Sequence, residues 1–415
     1  MQGPFRYRNG TLYCEQVELA AIAAGAGTPC YVYSRASILE RFRAYDEALA
    51  GLPHMICYAV KANSNQAVLA LLAGAGAGFD IVSGGELYRV LRAGAPACRV
   101  VFSGVGKTAE EIEYALAEGI HSFNAESEEE LRLIDAIAAR LGVRARVALR
   151  VNPDVPAETH PYVATGRREH KFGVEVARAP EIWRRAAALP NLALEGLSCH
   201  IGSQLLDPQP LLAAAAVMLE LARTIRRAGF SVRTLDLGGG LGVAYRAEEA
   251  SPDPAAFARA IREQLAREDL FLILEPGRSI VAQAGVLLTR VLYRKRTGSK
   301  EFVVVDAAMN DLIRPALYQS HHEIWPLRQS ARPEIIADVV GPVCETGDYL
   351  ARDRRLANAL PGDLLAIATA GAYAFVAASN YNSRPRPPEV LVEGDRWRIV
   401  RARETYEDLV RGEAP

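Results

Sequence analysis

The chain has 415 residues, too many for one ordinary core, so two domains are expected. Its 48 lysines and arginines balance 49 aspartates and glutamates, which removes the electrostatic case for a nucleic-acid or anionic-membrane partner. No apolar run is long enough to span a bilayer, and MQGPFRYRNGTLYCEQ lacks both the basic start and the apolar centre of a signal peptide. The six cysteines, Cys14, Cys30, Cys57, Cys98, Cys199 and Cys344, include no CxxC pair. That spacing indicates no metal site and no disulfide framework, and a reducing cytoplasm is the expected location.

Along the chain, segment 1–34 is strand-like in TLYCEQV and CYVYS and precedes a first helix, SILERFRAYDEAL. That helix places Ile38, Leu39, Phe42, Tyr45 and Leu49 on one face. Eight candidate strands follow: MICYAV (55–60), GFDIV (78–82), RVVFSG (99–104), HSFNA (121–125), RARVALRVN (144–152), LEGLSCH (194–200), TLDLG (234–238) and FLILE (271–275). Helical stretches such as TAEEIEYALAEG and SEEELRLIDAIAARLG lie between them, and parallel neighbours need such crossovers. Eight repeats over roughly 250 residues predict a closed (β/α)8 TIM-type barrel over residues 35–280, with an open doubly wound sheet as the alternative. Residues 281–415 read instead as a mostly β domain, through VLLTRVLYRK, EFVVVDAA, PEIIADVVG, DLLAIATAGAYAF and EVLVEGDRWRIV. Segment 1–34 is expected to join that domain. A long connection, 152–176, separates the fifth and sixth barrel strands and reads equally as a functional or a passive loop.

Barrels of this type carry their chemistry at the C-terminal ends of the strands, and the unusual residues fall there. Lys61, in YAVKANSN, follows strand one, Asp80 lies near the end of strand two, and His200 closes strand six. Gly238-Gly239-Gly240 follows strand seven and Glu275-Pro276-Gly277-Arg278 follows strand eight. Each has an ordinary reading: a lysine extending into water, a structural histidine, a surface carboxylate, a tight turn. Converging on one mouth, they describe a ligand site. DLGGGLG offers unobstructed backbone N–H groups to an anion, at the position where this fold holds phosphates. It is neither a P-loop nor a dinucleotide fingerprint. Phosphate, an aldehyde-seeking lysine and a carboxylate together point to pyridoxal phosphate. Lys61 would hold its aldehyde, Glu275 would keep its ring nitrogen protonated, and His200 would pack on the ring.

YAVKANSN, CHIGSQ, DLGGGLG, EPGRSIVAQAG, VCETGD and AYAFVAASNYNSRPR, in this order, resemble the fold-type III pyridoxal-phosphate-dependent amino-acid decarboxylases over nearly the whole chain. The resemblance implies that Lys61 is the Schiff-base lysine, that His200 stacks on the ring, and that Ser203, Gly239, Gly240 and Gly277 bind phosphate. Asp80 is placed among the cofactor contacts, and Glu275 faces the ring nitrogen. Arg278, Arg314 and Tyr318 resemble the substrate clamp, and Tyr373 a residue shared by cofactor and substrate. Cys344 resembles the proton donor, with Glu345 gripping substrate beside it. In the family the residues matching Cys344 and Glu345 come from the opposite subunit, which implies a homodimer with shared sites. Ala374 departs from the glycine expected after the tyrosine.

Within the family, ornithine-, lysine- or arginine-cleaving enzymes need an acidic pocket for a distal cation. Arg278 and Arg314 suit a distal carboxylate, and Glu345 an ammonium, which favours meso-2,6-diaminopimelate and release of L-lysine. A related racemase would place an arginine where Glu275 stands. A partner-binding homologue without catalysis would have lost Lys61 or Glu345.

Overall fold

The computed structural model describes residues 3–156 and 171–414, so only the flanks of the 152–176 connection are described. Contact density divides the chain into two units: residues 41–243 with 251–279, and residues 1–40 with 244–250 and 280–415. The sequence reading placed 244–250 inside the barrel region, yet those residues group with the second unit. No helix among the described residues is long and apolar enough to cross a membrane.

In chain order the second unit begins with β1 (Phe5–Arg8), β2 (Thr11–Cys14) and β3 (Val17–Glu18), an antiparallel three-stranded sheet. Helix α1 (Leu19–Ala26) and β4 (Cys30–Ser34) follow, and α2 (Arg35–Ala48) leads onward.

The barrel unit is built from β5 (His54–Ala59), β6 (Gly78–Ile81), β7 (Val100–Phe102), β8 (Ser122–Ala125) and β9 (Ala145–Asn152). After a two-residue β10 (Val174–Glu175), which pairs with β9, come β11 (Leu192–Ser198), β12 (Thr234–Asp236) and β13 (Phe271–Leu274). Every neighbouring pair is parallel, and β13 pairs back onto β5, so eight strands close the barrel expected from the sequence. These strands are buried almost throughout, which is why they read as continuous apolar runs rather than alternating ones.

The intervening helices include α3 (Gln66–Gly74), α4 (Gly84–Arg92), α5 (Ala109–Glu118) and α6 (Glu128–Leu141). Their starts are fixed chemically. Asn65, Ser83, Thr108 and Ser127 each accept a hydrogen bond from a first-turn amide, and Thr108 forms a reciprocal capping box with Glu111. Such caps contribute about 1 kcal/mol each. They also place the strand-to-helix loops, which carry the residues of interest, in one conformation. The remaining barrel helices are α7 (Ala179–Ala186), α8 (Gln209–Arg227) and α9 (Pro254–Leu265).

After a short α10 (Arg278–Val281), the second unit resumes with β14 (Gly285–Thr297) and β15 (Lys300–Val305), then α11 (Arg314–Tyr318) and β16 (Ile324–Pro326). Its later strands are β17 (Glu334–Val340), β18 (Tyr349–Ala357), β19 (Leu364–Ile367), β20 (Glu389–Glu393) and β21 (Arg396–Arg401). They form one sheet in the order β18-β17-β15-β14-β4-β20-β21, with β19 branching from β14 and β16 pairing with β19. The N-terminal β4 therefore lies between β14 and β20. Its core joins Phe5, Leu12 and Leu19 to Val32, Val286, Leu288 and Val390.

The stretch DLLAIATAGAYAF, read from sequence as one strand, holds strand geometry only over Leu364–Ile367. Thr369 and Tyr373 adopt positive φ, and Gly371 passes so close to Val281 that a Cβ there would lie 1.8 Å from its carbonyl oxygen. The chain turns where its side chains would otherwise collide.

Candidate active site

The quoted octapeptide folds as a strand end, a tight turn and a helix start. After β5 the backbone makes a single 3-10 turn, Val60–Ala62, that carries Lys61. The buried Tyr58 hydroxyl donates to Asn63 O at 3.0 Å, Asn63 Oδ1 accepts from Asn65 N, and Asn65 caps α3. Gly277, at the end of strand eight, packs against the same turn. A Cβ on it would meet the methyl carbons of Ala59 and Ala62 at 3.0 Å, so the Lys61 and Glu275 loops are seated on each other. Lys61 Nζ forms an ion pair with Asp80 Oδ2 at 2.5 Å, and Asp80 is fully buried. The other oxygen of Asp80, Oδ1, has no hydrogen-bond partner among the described residues.

Behind this pair lies a polar cluster inside the barrel. Asn124 Nδ2 approaches Asp236 Oδ2 at 2.9 Å, Ser103 Oγ at 3.1 Å and Glu275 Oε1 at 3.2 Å. Ser103 donates to the same oxygen of Glu275, and Gly238 N donates to Asp236 Oδ1. Burial, followed by the neighbouring carboxylates Asp236 and Asp80, pushes Glu275 well above the ordinary carboxylate range, and the Lys61 ammonium offsets only part of this. Burial also raises Asp236, opposed by hydrogen bonds from Glu275, Asn124 and the Gly238 amide. Two carboxyls this close in a dry interior do not both ionise, so the Glu275–Asp236 pair retains a proton. Glu86 is also raised, to about 7, mainly by burial, against the Val82 amide and Lys61.

The glycine run forms a cradle of backbone. A Cβ at Gly239 would lie 2.3 Å from Glu275 O, and one at Gly240 would lie 2.6 Å from Gly202 O at a φ of +111°. Only glycine lets the three loops approach this closely. Gly239 N donates to His200 Nδ1 at 3.2 Å, and burial, then Arg150 and Lys61, depress the imidazole to about 3. The ring is therefore neutral with its proton on Nε2, held by the cradle. His200 lies two residues beyond the end of β11, not on it, because the pairing stops at Ser198. Ser203 Oγ accepts from Arg278 Nη2 at 3.1 Å, tying the loop after strand six to that after strand eight.

Arg314, Tyr318, Cys344, Glu345 and Tyr373 belong to the other unit. Arg314 and Tyr318 open and close α11, with Arg314 buried and its guanidinium carbon 5.8 Å from the Tyr318 ring centre. Cys344 and Glu345 are exposed on a loop fixed by Asp348, which accepts from Met309 N and Val343 N at 2.7 Å each. Cys344 N donates to Asn382 Oδ1, and Glu345 Oε2 accepts from Tyr381 OH at 2.8 Å. Tyr373 is half-buried with φ +54°. Ala374 is buried.

The pyridoxal-binding domain of the pyridoxal-dependent decarboxylases matches residues 35–282. Diaminopimelate decarboxylase of Pseudomonas aeruginosa is 56% identical over 99% of this chain and 98% of its own, and that of Vibrio cholerae 51% over 98% and 97%. The chain belongs to the diaminopimelate decarboxylase family. Among solved members, the Helicobacter pylori enzyme complexed with L-lysine superposes with a TM-score of 0.91 at 44% identity, over 95% of this chain and 98% of its own. The M. jannaschii enzyme with L-lysine gives 0.94 at 37% identity, over 99% and 98%.

Members of this family are pyridoxal-phosphate-dependent lyases, and the barrel mouth fits that cofactor. Lys61 could supply the amine, the buried Glu275 an acid for a ring nitrogen, and Gly238–Gly240 a backbone cradle that any Cβ would fill. Ser103, Asn124 and Asp236 were not singled out from the sequence. The signal was present: HSFNA and TLDLG each set a polar side chain inside an apolar strand, where burial demands a partner.

Proposed function

We propose that this member of the diaminopimelate decarboxylase family converts meso-2,6-diaminopimelate to L-lysine and carbon dioxide, the last step of lysine biosynthesis. The observation that carries the chemistry is the Lys61–Asp80 pair and the buried Glu275 at the strand ends of one barrel, beside a glycine cradle. Residues 35–280 are read as the cofactor domain, and 281–415 with 1–34 as its β companion. A homodimer in the cytoplasm completes this reading.

Pyridoxal phosphate supplies an electron sink that accepts the pair left when carbon dioxide departs. Lys61 would hold the cofactor through its amine, which Asp80 keeps in place. Glu275 would supply an acid for the ring nitrogen. His200, neutral and fixed by Gly239, would pack against the ring. Ser203, Gly239, Gly240, Gly277 and Arg278 hold the phosphate end, and Tyr373 serves both cofactor and substrate. Arg278, Arg314 and Tyr318 receive the carboxylate that is retained, and Glu345 receives the distal ammonium. The carboxylate to be lost is left without a cationic partner. Cys344 Sγ, supplied with Glu345 by the second subunit, delivers the proton that replaces it.

The test is a comparison of kcat/KM for meso-diaminopimelate, ornithine, lysine and arginine, with released carbon dioxide measured. Preference for the diacid, with stoichiometric carbon dioxide, is expected. Higher efficiency on ornithine would remove the substrate assignment, and inversion without carbon dioxide would indicate a racemase.

A further inference from the structure

The retained carboxylate of the substrate needs a guanidinium that is charged, correctly placed and still able to take an anion. Arg314 is buried, and its charge is held against π faces. Its guanidinium carbon lies 5.2 Å from the centre of the Tyr245 ring, closer than to Tyr318. Nη2 donates to Ser320 Oγ at 3.2 Å. An aromatic face attracts a cation through its quadrupole yet carries no formal charge, so it fixes the cation without neutralising it. A carboxylate in the same place would compete with the substrate.

Tyr245 is in turn held rigidly. It lies in the short 244–250 segment that leaves the barrel region and groups with the unit containing α11. Its amide donates to Glu249 Oε2 at 2.9 Å. Its ring meets the imidazole of His322 at 5.2 Å and 83°, an edge-to-face contact. His322 is fully buried, and its Nδ1 lies 2.8 Å from Ala368 O, so Nδ1 carries the proton. Nε2 has no hydrogen-bond partner among the described residues. Burial, then Arg314 itself, depresses this imidazole to about 3, so it adds no second positive charge beside the arginine.

We infer that Tyr245, braced by His322, is a positioning residue that sets the affinity of Arg314 for the substrate's retained carboxylate. The inference rests on the reading of Arg314 as part of the substrate clamp. L-lysine keeps that carboxylate and 1,5-diaminopentane does not, so the two compounds separate a carboxylate-specific effect from general damage.

The experiment is steady-state kinetics on the full-length, cofactor-loaded enzyme. For Tyr245→Leu the KM for meso-diaminopimelate is expected to rise roughly 3- to 30-fold, the range of a desolvated cation–π contact. The kcat should change by roughly threefold or less, as expected when binding common to ground and transition states is lost. Inhibition by L-lysine should weaken in proportion, inhibition by 1,5-diaminopentane should not, and Tyr245→Phe should retain the low KM. Where Tyr245→Leu fails to fold, phenylalanines with increasing ring fluorination at position 245 keep the shape and weaken the quadrupole stepwise. KM should then rise with each fluorine. A flat fluorine series, or equal weakening of both inhibitors, overturns the role of Tyr245. Arg314→Met separates the two readings. If it leaves the diacid KM unchanged, the clamp itself is wrong. If it raises KM while the fluorine series stays flat, only Tyr245 is wrong.

Discussion

Glu275 is the residue whose environment decides its chemistry. Burial and the neighbouring Asp236 raise its carboxyl well above the ordinary range, and Asn124 and Ser103 complete its contacts. A carboxyl whose folded pKa lies above its unfolded value binds a proton more tightly when folded. Its contribution to stability is therefore full at low pH and declines as pH rises above the unfolded value near ~4.3. Glu275→Gln removes that decline. The melting temperature of the cofactor-free variant should gain on wild type between pH 5 and pH 8, and turnover should fall by roughly 10²-fold or more, as when a charged partner of the reacting group is lost. A pH-independent difference in melting, or near-normal turnover, would show that Glu275 is not the titrating acid. Lys61 and Glu275 were legible in the sequence because each ends an apolar strand of a recognisable repeat. Asp236 and Asn124 were not, because the sequence does not say which polar strand residues share a layer inside the barrel.

Among elements, the loops after strands six, seven and eight act as one piece. Gly239 N holds the His200 imidazole, the Gly239 Cα faces Glu275 O, and Arg278 reaches back to Ser203. A methyl at position 239 would have to push Glu275 or its loop away. Gly239→Ala is expected to raise the dissociation constant of pyridoxal phosphate roughly 10-fold or more, the scale of overpacking by ~1–3 kcal/mol. Titration of the cofactor's visible absorbance measures this, and wild-type affinity would mean that the loops are not mutually seated. The glycine run was legible as a place where backbone approaches backbone without side chains between. Its second task, orienting His200, needs a distance that no spacing in DLGGGLG or CHIGSQ supplies. Strand ends were read a residue or two long, as at LEGLSCH, because apolar residues continue past the last paired one.

For the molecule as a whole, the barrel was legible because eight strand-helix repeats leave few topologies, and β4 was legible as a strand but not in its place between β14 and β20. Cys344 and Glu345 are exposed on their own unit, on a loop braced by Asp348. The proposed sharing of sites across a homodimer is tested by complementation. Lys61→Ala and Cys344→Ala should each be nearly inactive, Lys61→Ala without covalently held cofactor and Cys344→Ala with it. Mixed by co-expression, they should recover roughly a quarter of wild-type turnover, because half the dimers then carry one intact site. No recovery would place Cys344 in its own subunit's site, and near-normal turnover of Cys344→Ala alone would place it outside the chemistry.

The 2.5 Å contact between Lys61 and Asp80 has a consequence for the newly made chain. An ammonium has no lone pair to offer, so a stray metabolite aldehyde that diffuses into the mouth meets a locked amine. Attachment of any aldehyde at Lys61 therefore waits on the loss of that proton.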